Sequence, residues 1–216
     1  MREAFHDQLD DLFSELAGIC DRVEVSVIKA TEALLTGDRV LAETVISADA
    51  EIDRAREDVE EMAFSVLSLQ APVATDLRVV VAALRMAGEL ERMGDLSVHV
   101  AKIARLRVPE VAVPPNLRPT IERMAEVAEV MVRRVSGVIS ERDIESAREL
   151  AADDDEMDRL RRSTFTELFA GEWPHGVEAA VDVALLGRYY ERIADHAVSV
   201  AKRVVYVVTG EVPTGV

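Results

Sequence analysis

The chain has 216 residues, of which 49% are apolar and only 4% are aromatic, and this composition favours packed helices over a β-sandwich. Lysine and arginine total 25 against 41 aspartates and glutamates, so the net charge is −16 and binding to a nucleic-acid backbone is disfavoured. The single cysteine, Cys20, excludes an intrachain disulfide and a thiolate metal site within one chain.

Apolar residues at steps of three and four predict three long helices in the first half of the chain. The first is expected over about residues 5–35, where Gly37 and Asp38 supply a C-cap and the next N-cap. The second covers about 39–69 and the third about 75–107. Helices of about thirty residues are roughly 45 Å long, and the short turns between them predict an antiparallel three-helix bundle.

A proline-rich segment, residues 108–116, interrupts this pattern and marks a boundary. Beyond it, three further helices are predicted over about 117–140, 144–169 and 177–209. The fold class is therefore all-α, as a tandem repeat of two antiparallel three-helix bundles with six long helices. The predicted domains are a first bundle over 1–107, a linker over 108–116 and a second bundle over 117–216.

Two acidic motifs recur once in each half and support the duplication. Residues 49–54 (Asp-Ala-Glu-Ile-Asp-Arg) match 154–159 (Asp-Asp-Glu-Met-Asp-Arg), and residues 91–95 (Glu-Arg-Met-Gly-Asp) match 191–195 (Glu-Arg-Ile-Ala-Asp). Because residues four apart lie on the same helix face, each motif directs two carboxylates the same way. The eight candidate site residues are Asp49, Asp53, Glu91, Asp95, Asp154, Asp158, Glu191 and Asp195.

These carboxylates interrupt helix faces that are otherwise apolar or small. Ionised carboxylates in such a place repel one another and lose hydration, so their charge needs compensation. A hard divalent cation would compensate it, since carboxylate oxygens from facing helices suit Mg²⁺, Mn²⁺, Ca²⁺ or iron. Ion pairs would do the same, and the sequence leaves both alternatives open. The nearby cations are Arg56, Arg92, Lys102, Arg192 and Lys202.

The sequence contains no recognisable catalytic signature. The Glu-x-x-His pairs of di-iron bundles occur only at residues 3–6 and 172–175, a terminus and a turn. His99 and His196 lie near the acidic motifs but occupy different repeat positions, which argues against a shared ligand role. A Gly-rich phosphate loop, a catalytic triad and a nucleophile elbow are all absent. We therefore predict that the protein is not an enzyme.

The sequence also predicts a cytoplasmic location. The first residues lack the apolar core of a signal peptide, and the apolar stretch at 198–208 is interrupted by Lys202 and Arg203.

The acidic balance suits cations or basic protein surfaces as partners, although acid-rich surfaces also serve solubility alone.

Three segments of the chain carry a family resemblance. They are Pro-x-x-x-Asp-Leu-Arg at 72–78, Glu-Arg-x-Gly-Asp at 91–95 and Tyr-Glu-Arg-Ile-Ala-Asp-His-Ala at 190–197. Together they resemble the PhoU family of phosphate-transport regulators, and its actinobacterial PhoY branch is the nearest match. The resemblance covers nearly the whole chain, including the doubled three-helix layout.

The resemblance implies a cytoplasmic, non-enzymatic negative regulator of phosphate uptake and of the phosphate-responsive two-component system. PhoU-like proteins act by binding the ATPase of the phosphate ABC transporter and the phosphate-sensing histidine kinase, and homodimers are common among them. Contact with the membrane is expected only through these partners.

The resemblance also implies a metal site. Some members hold single divalent ions, or multinuclear iron or zinc clusters, on the acidic motifs, so the eight carboxylates named above are the predicted metal ligands. The position four residues after the last acid is His99 in one half and Ser199 in the other, where the family often has an amide. The alternative function is a carboxylate-bridged metal-binding or metalloenzyme bundle.

Overall fold

The computed structural model describes residues 2–171 and 173–211, and this part of the chain contains six α-helices and no β-strand. The predicted all-α class with six long helices is confirmed. In chain order the helices are α1 (Arg2–Thr36), α2 (Arg39–Gln70), α3 (Ala74–Arg107), α4 (Arg118–Glu141), α5 (Ile144–Phe169) and α6 (Gly176–Thr209).

The helix ends follow from local sequence. Gly37 has a φ of 69°, a left-handed conformation that glycine adopts without steric cost, and it ends α1. Asp38 caps α2, because its carboxylate accepts a hydrogen bond from the N–H of Leu41 at 3.0 Å. Asp143 caps α5 in the same way by accepting bonds from two backbone N–H groups of the first turn. The C-cap predicted at Gly37 and the N-cap predicted at Asp38 are therefore both present.

The helices pack both within and between the two halves. In the first half α1, α2 and α3 contact one another, and in the second half α4 contacts α5 and α6, which also contact each other. The halves are joined because α1 packs against α4 and α3 packs against α6. Four helices thus form the centre of the molecule, with α2 and α5 on its flanks. One hydrophobic core runs through both halves and includes Leu16, Leu90, Met131 and Tyr190.

The pairing of α3 with α6 joins the last helix of each half in antiparallel orientation. At one end, Arg78 Nη2 donates to the carbonyl oxygen of Val207 at 3.2 Å. At the other end, Arg107 Nε lies 2.5 Å from Asp182 Oδ2. Equivalent positions of the two repeats therefore lie at opposite ends of this helix pair. The boundaries of the two predicted domains stay a prediction.

None of the helices in the described residues combines the length and the hydropathy needed to span a bilayer.

Candidate functional site

Each half carries an acidic surface where its middle helix packs against its last helix. We define the first acidic surface as Asp49 and Asp53 on α2 with Glu91 and Asp95 on α3. The second acidic surface comprises Asp154 and Asp158 on α5 with Glu191 and Asp195 on α6. The structure therefore places the eight predicted residues in two separate groups of four.

Close packing of α2 on α3 positions the first acidic surface. Gly94 faces α2, and a Cβ built on it would lie 2.9 Å from Ile52 Cδ1 and 3.7 Å from Asp49 Oδ1. A Cβ at this position would force the end of the Ile52 side chain to shift, since contacts under 3.0 Å do not occur between real Cβ atoms and their neighbours. The glycine of the Glu-Arg-x-Gly-Asp motif thus lets Ile52 and Asp49 of α2 lie directly against α3.

The burial of the eight carboxylates is uneven. Asp95, Asp158 and Asp195 are exposed, whereas Glu191 is only 7% exposed. The other four are half-buried: Asp49, Asp53, Glu91 and Asp154. The prediction that the acids interrupt apolar faces therefore holds best for Glu191, and three of the eight face solvent.

Burial and mutual repulsion raise the pKa of one aspartate in each surface. The pKa of Asp49 is raised to about 6, chiefly by burial and then by the charges of Asp53 and Asp95. The pKa of Asp154 is likewise raised to about 6, again chiefly by burial and then by Asp195 and Asp158. The two surfaces are thus electrostatically equivalent at their centres, as the duplicated motifs predict.

The two surfaces differ at the glutamate of the last helix. Glu191 is held by two arginines: Arg161 Nη1 on α5 lies 2.9 Å from its Oε1, and Arg188 Nη1 on α6 contacts its Oε2. In the first surface, burial and then Asp95 raise the pKa of Glu91, and Arg56 opposes this effect. Because Arg56 hydrogen-bonds to Glu60 at 2.5 Å, Glu91 has a weaker cationic partner than Glu191.

The cations predicted from the sequence compensate only part of the negative charge of the two acidic surfaces. Lys102 lowers the pKa of Asp49 and Lys202 lowers that of Asp154, as expected for opposite charges nearby. Arg161 and Arg188 were not among the predicted partners. Their spacing could have identified them, since Arg161 lies seven residues after Asp154 on one face of α5, and Arg188 lies three before Glu191.

The carboxylates are not arranged as a metal site in this structure. Within the described residues, no group of three or more His, Cys, Asp or Glu side chains is placed to hold a metal ion. Glu191 does not fit a ligand role here because two arginines already occupy its oxygens. The first acidic surface has the oxygen donors that a hard cation prefers, but its side chains are not gathered around one point. The metal role of the eight residues stays a prediction.

A contact between the halves was missed by the sequence interpretation. Glu89 on α3 accepts hydrogen bonds from His196 Nδ1 at 2.7 Å and from Arg203 Nη2 at 2.9 Å, both on α6. His196 thus belongs to a hydrogen-bond network that joins α3 to α6. His99 stacks on Tyr189 of α6, with ring centroids 5.3 Å apart. Both histidines contribute to the α3–α6 interface.

Neutralising the central aspartates should stabilise the protein. We expect Asp49→Asn and Asp154→Asn each to raise the free energy of unfolding at pH 7 by about 1 kcal/mol, after discounting for solvent screening. The folded-state pKa of each aspartate is raised above its ordinary value of 3.8. The stability that each contributes to the folded state is therefore fully present below pH 3.8 and is lost as pH rises through about 6. Urea unfolding at several pH values measures the change, and Asp58→Asn, an exposed aspartate on α2, serves as control.

A decrease in stability of both variants at pH 7, with the Asp58→Asn control unchanged, would contradict the repulsion described above. It would mean that the two ionised aspartates are stabilised by the fold.

Comparison with known proteins identifies the family. The PhoU domain model matches the chain twice, over residues 16–104 and 121–204. The chain belongs to the PhoU family. The resemblance predicted from the sequence motifs is thereby confirmed, and one PhoU match falls in each half of the structure.

Relatives and solved structures agree with this assignment. The phosphate-specific transport system accessory protein PhoU homolog 2 of Mycobacterium tuberculosis is 46% identical over 213 residues, which cover 99% of this chain and 100% of the relative. The crystal structure of PhoU from Pseudomonas aeruginosa matches with a TM-score of 0.89 at 28% identity, covering 96% of this chain and 100% of that one. The phosphate transport system regulatory protein PhoU from Streptococcus pneumoniae shares the fold, with a TM-score of 0.87 at 23% identity and coverages of 98% and 100%.

Proposed function

We propose that this protein is a cytoplasmic, non-enzymatic negative regulator of phosphate uptake and of the phosphate-responsive two-component system. It binds the ATPase of the phosphate ABC transporter and the sensor histidine kinase, and it restrains both when phosphate is plentiful. The observation that carries the proposal is the match, over 99% of the chain, to a protein named as an accessory protein of phosphate-specific transport. We also propose that the protein forms a homodimer.

The two acidic surfaces support a role in protein binding. Their exposed carboxylates, Asp95, Asp158 and Asp195, are available to basic side chains of a partner. A regulator that performs no chemistry acts on a partner only by binding one of its conformations better than another. We therefore propose that the acidic surfaces bind basic surfaces of the transporter ATPase and of the histidine kinase when these partners are in their inactive conformations.

The test removes one exposed carboxylate from each acidic surface. The variant Asp95→Ala with Asp195→Ala should keep the fold, because both side chains are exposed and the buried Glu191 is left in place. We expect it to bind the ATPase and the kinase at least about tenfold more weakly in a pull-down titration. In cells, a phosphate-starvation reporter should become active although phosphate is plentiful.

The matched control is Asp58→Ala with Glu167→Ala, which removes two exposed acids of α2 and α5 outside the acidic surfaces. It should capture both partners and keep the reporter silent. The proposal fails if the Asp95→Ala, Asp195→Ala variant also captures both partners and keeps the reporter silent. Failure of the parent protein to capture either partner would refute the proposed partners themselves.

A further inference from the structure

A cavity of about 310 Å³ lies where the beginning of α3 meets the end of α6. Three arginines line it, Arg78 and Arg85 from α3 and Arg203 from α6, together with the ring of Tyr206. The rest of the wall is apolar or small, formed by Ala74, Leu77, Val81 and Ala82. In a chain of net charge −16, three guanidinium groups around one cavity make a local site of opposite sign.

The three arginines are incompletely neutralised by the protein. Arg203 pairs with Glu89 through Nη2, and Arg78 donates through Nη2 to the backbone of α6. The Nε atoms of both arginines are buried and have no hydrogen-bond partner. Arg85 is exposed and forms no ion pair with the described residues. Among the residues that the structure describes, the three arginines thus form one ion pair with a carboxylate, that of Glu89, and the Nε donors of Arg78 and Arg203 are left without a partner.

The sequence repeat provides an internal comparison for this cavity. An offset of 100 residues aligns the two Glu-Arg-x-x-Asp motifs, and it places Glu178 opposite Arg78 and Leu185 opposite Arg85. It also places Ile103 opposite Arg203 and Leu106 opposite Tyr206. The equivalent end of the other half therefore carries none of the three arginines. The basic cavity is a feature of one end only, although the helices around it are duplicated.

We propose that this cavity binds a phosphate group, either inorganic phosphate or that of a small phosphate monoester. Guanidinium groups donate in pairs to phosphate oxygens, and a dianion compensates several of them at once. The cavity volume lies at the lower end of the range for small-molecule sites. The first N–H groups of α3 also lie at this end without a side-chain cap from Val73.

The apolar part of the cavity wall would contact a phosphate monoester but not inorganic phosphate. Leu77 and Val81 are 41% and 37% exposed, and they border the arginines on α3. The organic part of a monoester would cover these side chains, whereas inorganic phosphate would leave them in water. The site is independent of the partner binding proposed above, because none of the residues that line it belongs to either acidic surface.

The test measures binding of two probes, inorganic phosphate and phenyl phosphate, to the purified full-length protein by calorimetry at constant ionic strength. The variant is Arg85→Leu, which installs the residue of the equivalent position, Leu185. Arg162→Leu, an exposed arginine of α5, is the matched control. We expect saturable binding to the parent and the control, and an affinity roughly tenfold lower for Arg85→Leu. Tighter binding of phenyl phosphate would identify a monoester as the ligand, and equal or weaker binding would identify inorganic phosphate.

A second readout keeps the test independent of folding. Thermal unfolding followed by circular dichroism should be unchanged in Arg85→Leu without phosphate. NMR signals of the Tyr206 ring should shift on addition of phosphate in the parent and the control, and Arg85→Leu should need a roughly tenfold higher phosphate concentration for the same shift. The proposal is overturned if neither probe shows saturable binding to the parent, or if Arg85→Leu binds like the control. Equal binding of acetate would also overturn it, because the site would then not distinguish phosphate from a carboxylate.

Discussion

Replacing Asp182 with alanine is expected to lower the free energy of unfolding by about 3 kcal/mol, the largest change that we predict. Asp182 is 4% exposed, and both its oxygens bond to Arg107 across the α3–α6 interface, at 2.5 Å to Nε and 3.2 Å to Nη2. Alanine would leave the half-buried guanidinium without its buried partner. Urea unfolding of the parent and the variant at pH 7 measures the loss.

A second ion pair of Arg107 provides the control for this prediction. Arg107 also pairs with Glu178, whose side chain is 83% exposed, at 3.2 Å. Because an exposed ion pair contributes little, Glu178→Ala should cost less than about 1 kcal/mol. The double variant Arg107→Met with Asp182→Leu should recover most of the stability, since it removes the buried carboxylate and its half-buried partner together. A loss in Asp182→Ala no larger than that in Glu178→Ala would show that the buried pair does not stabilise the interface.

Replacing Glu89 with glutamine should lower the free energy of unfolding by about 2 kcal/mol at pH 7. The hydrogen bond from His196, and with it the bond from Arg203, lowers the pKa of Glu89 from 4.5 to about 2. A lowered folded-state pKa means that this stabilisation is present above pH 4.5 and is lost as pH falls towards 2. The difference between parent and variant should therefore shrink over that range.

Chemical unfolding at a series of pH values tests this dependence. Glu51→Gln, an exposed glutamate of α2, is the control and should follow the parent at every pH. If the parent and Glu89→Gln differ by the same amount at pH 7 and near pH 3, the effect would come from packing of the side chain, and the charge of Glu89 would not be responsible.

The helices could be predicted from the sequence because their signals are local. The apolar spacing along each helix and the chemistry of Gly37 and Asp38 depend only on neighbouring residues, and the structure has helices and caps where they indicate. The C-termini of α2 and α4 had no such local signal in the sequence. Ala71 and Arg142 take the left-handed C-cap conformation, with φ of 45° and 55°, although neither is a glycine.

The chemistry of the candidate site could be predicted only in part. The repeated motifs identified both acidic surfaces, since the spacing of acids along one helix is visible in the sequence. The contacts of Glu89 with His196 and of Arg107 with Asp182 join residues 107 and 75 positions apart. They depend on how the two halves dock, and no pattern along one helix contains that information. The arginine cavity was missed for the same reason, because Arg85 and Arg203 come from different halves.

The antiparallel pairing of α3 with α6 gives the molecule two chemically different poles. One pole carries Arg78, Arg85 and Arg203, and the other exposes Leu106, Val177, Val181 and Leu185. The poles are far apart, because Arg78 at one pole and Arg107 at the other are separated by 107 − 78 = 29 residues along α3, or roughly 44 Å. A duplicated chain with identical poles would bind an elongated partner equally well in either direction. Here a partner that reaches both poles has one favourable orientation, because Arg78 and Arg85 at one pole and their equivalents Glu178 and Leu185 at the other require different contacts.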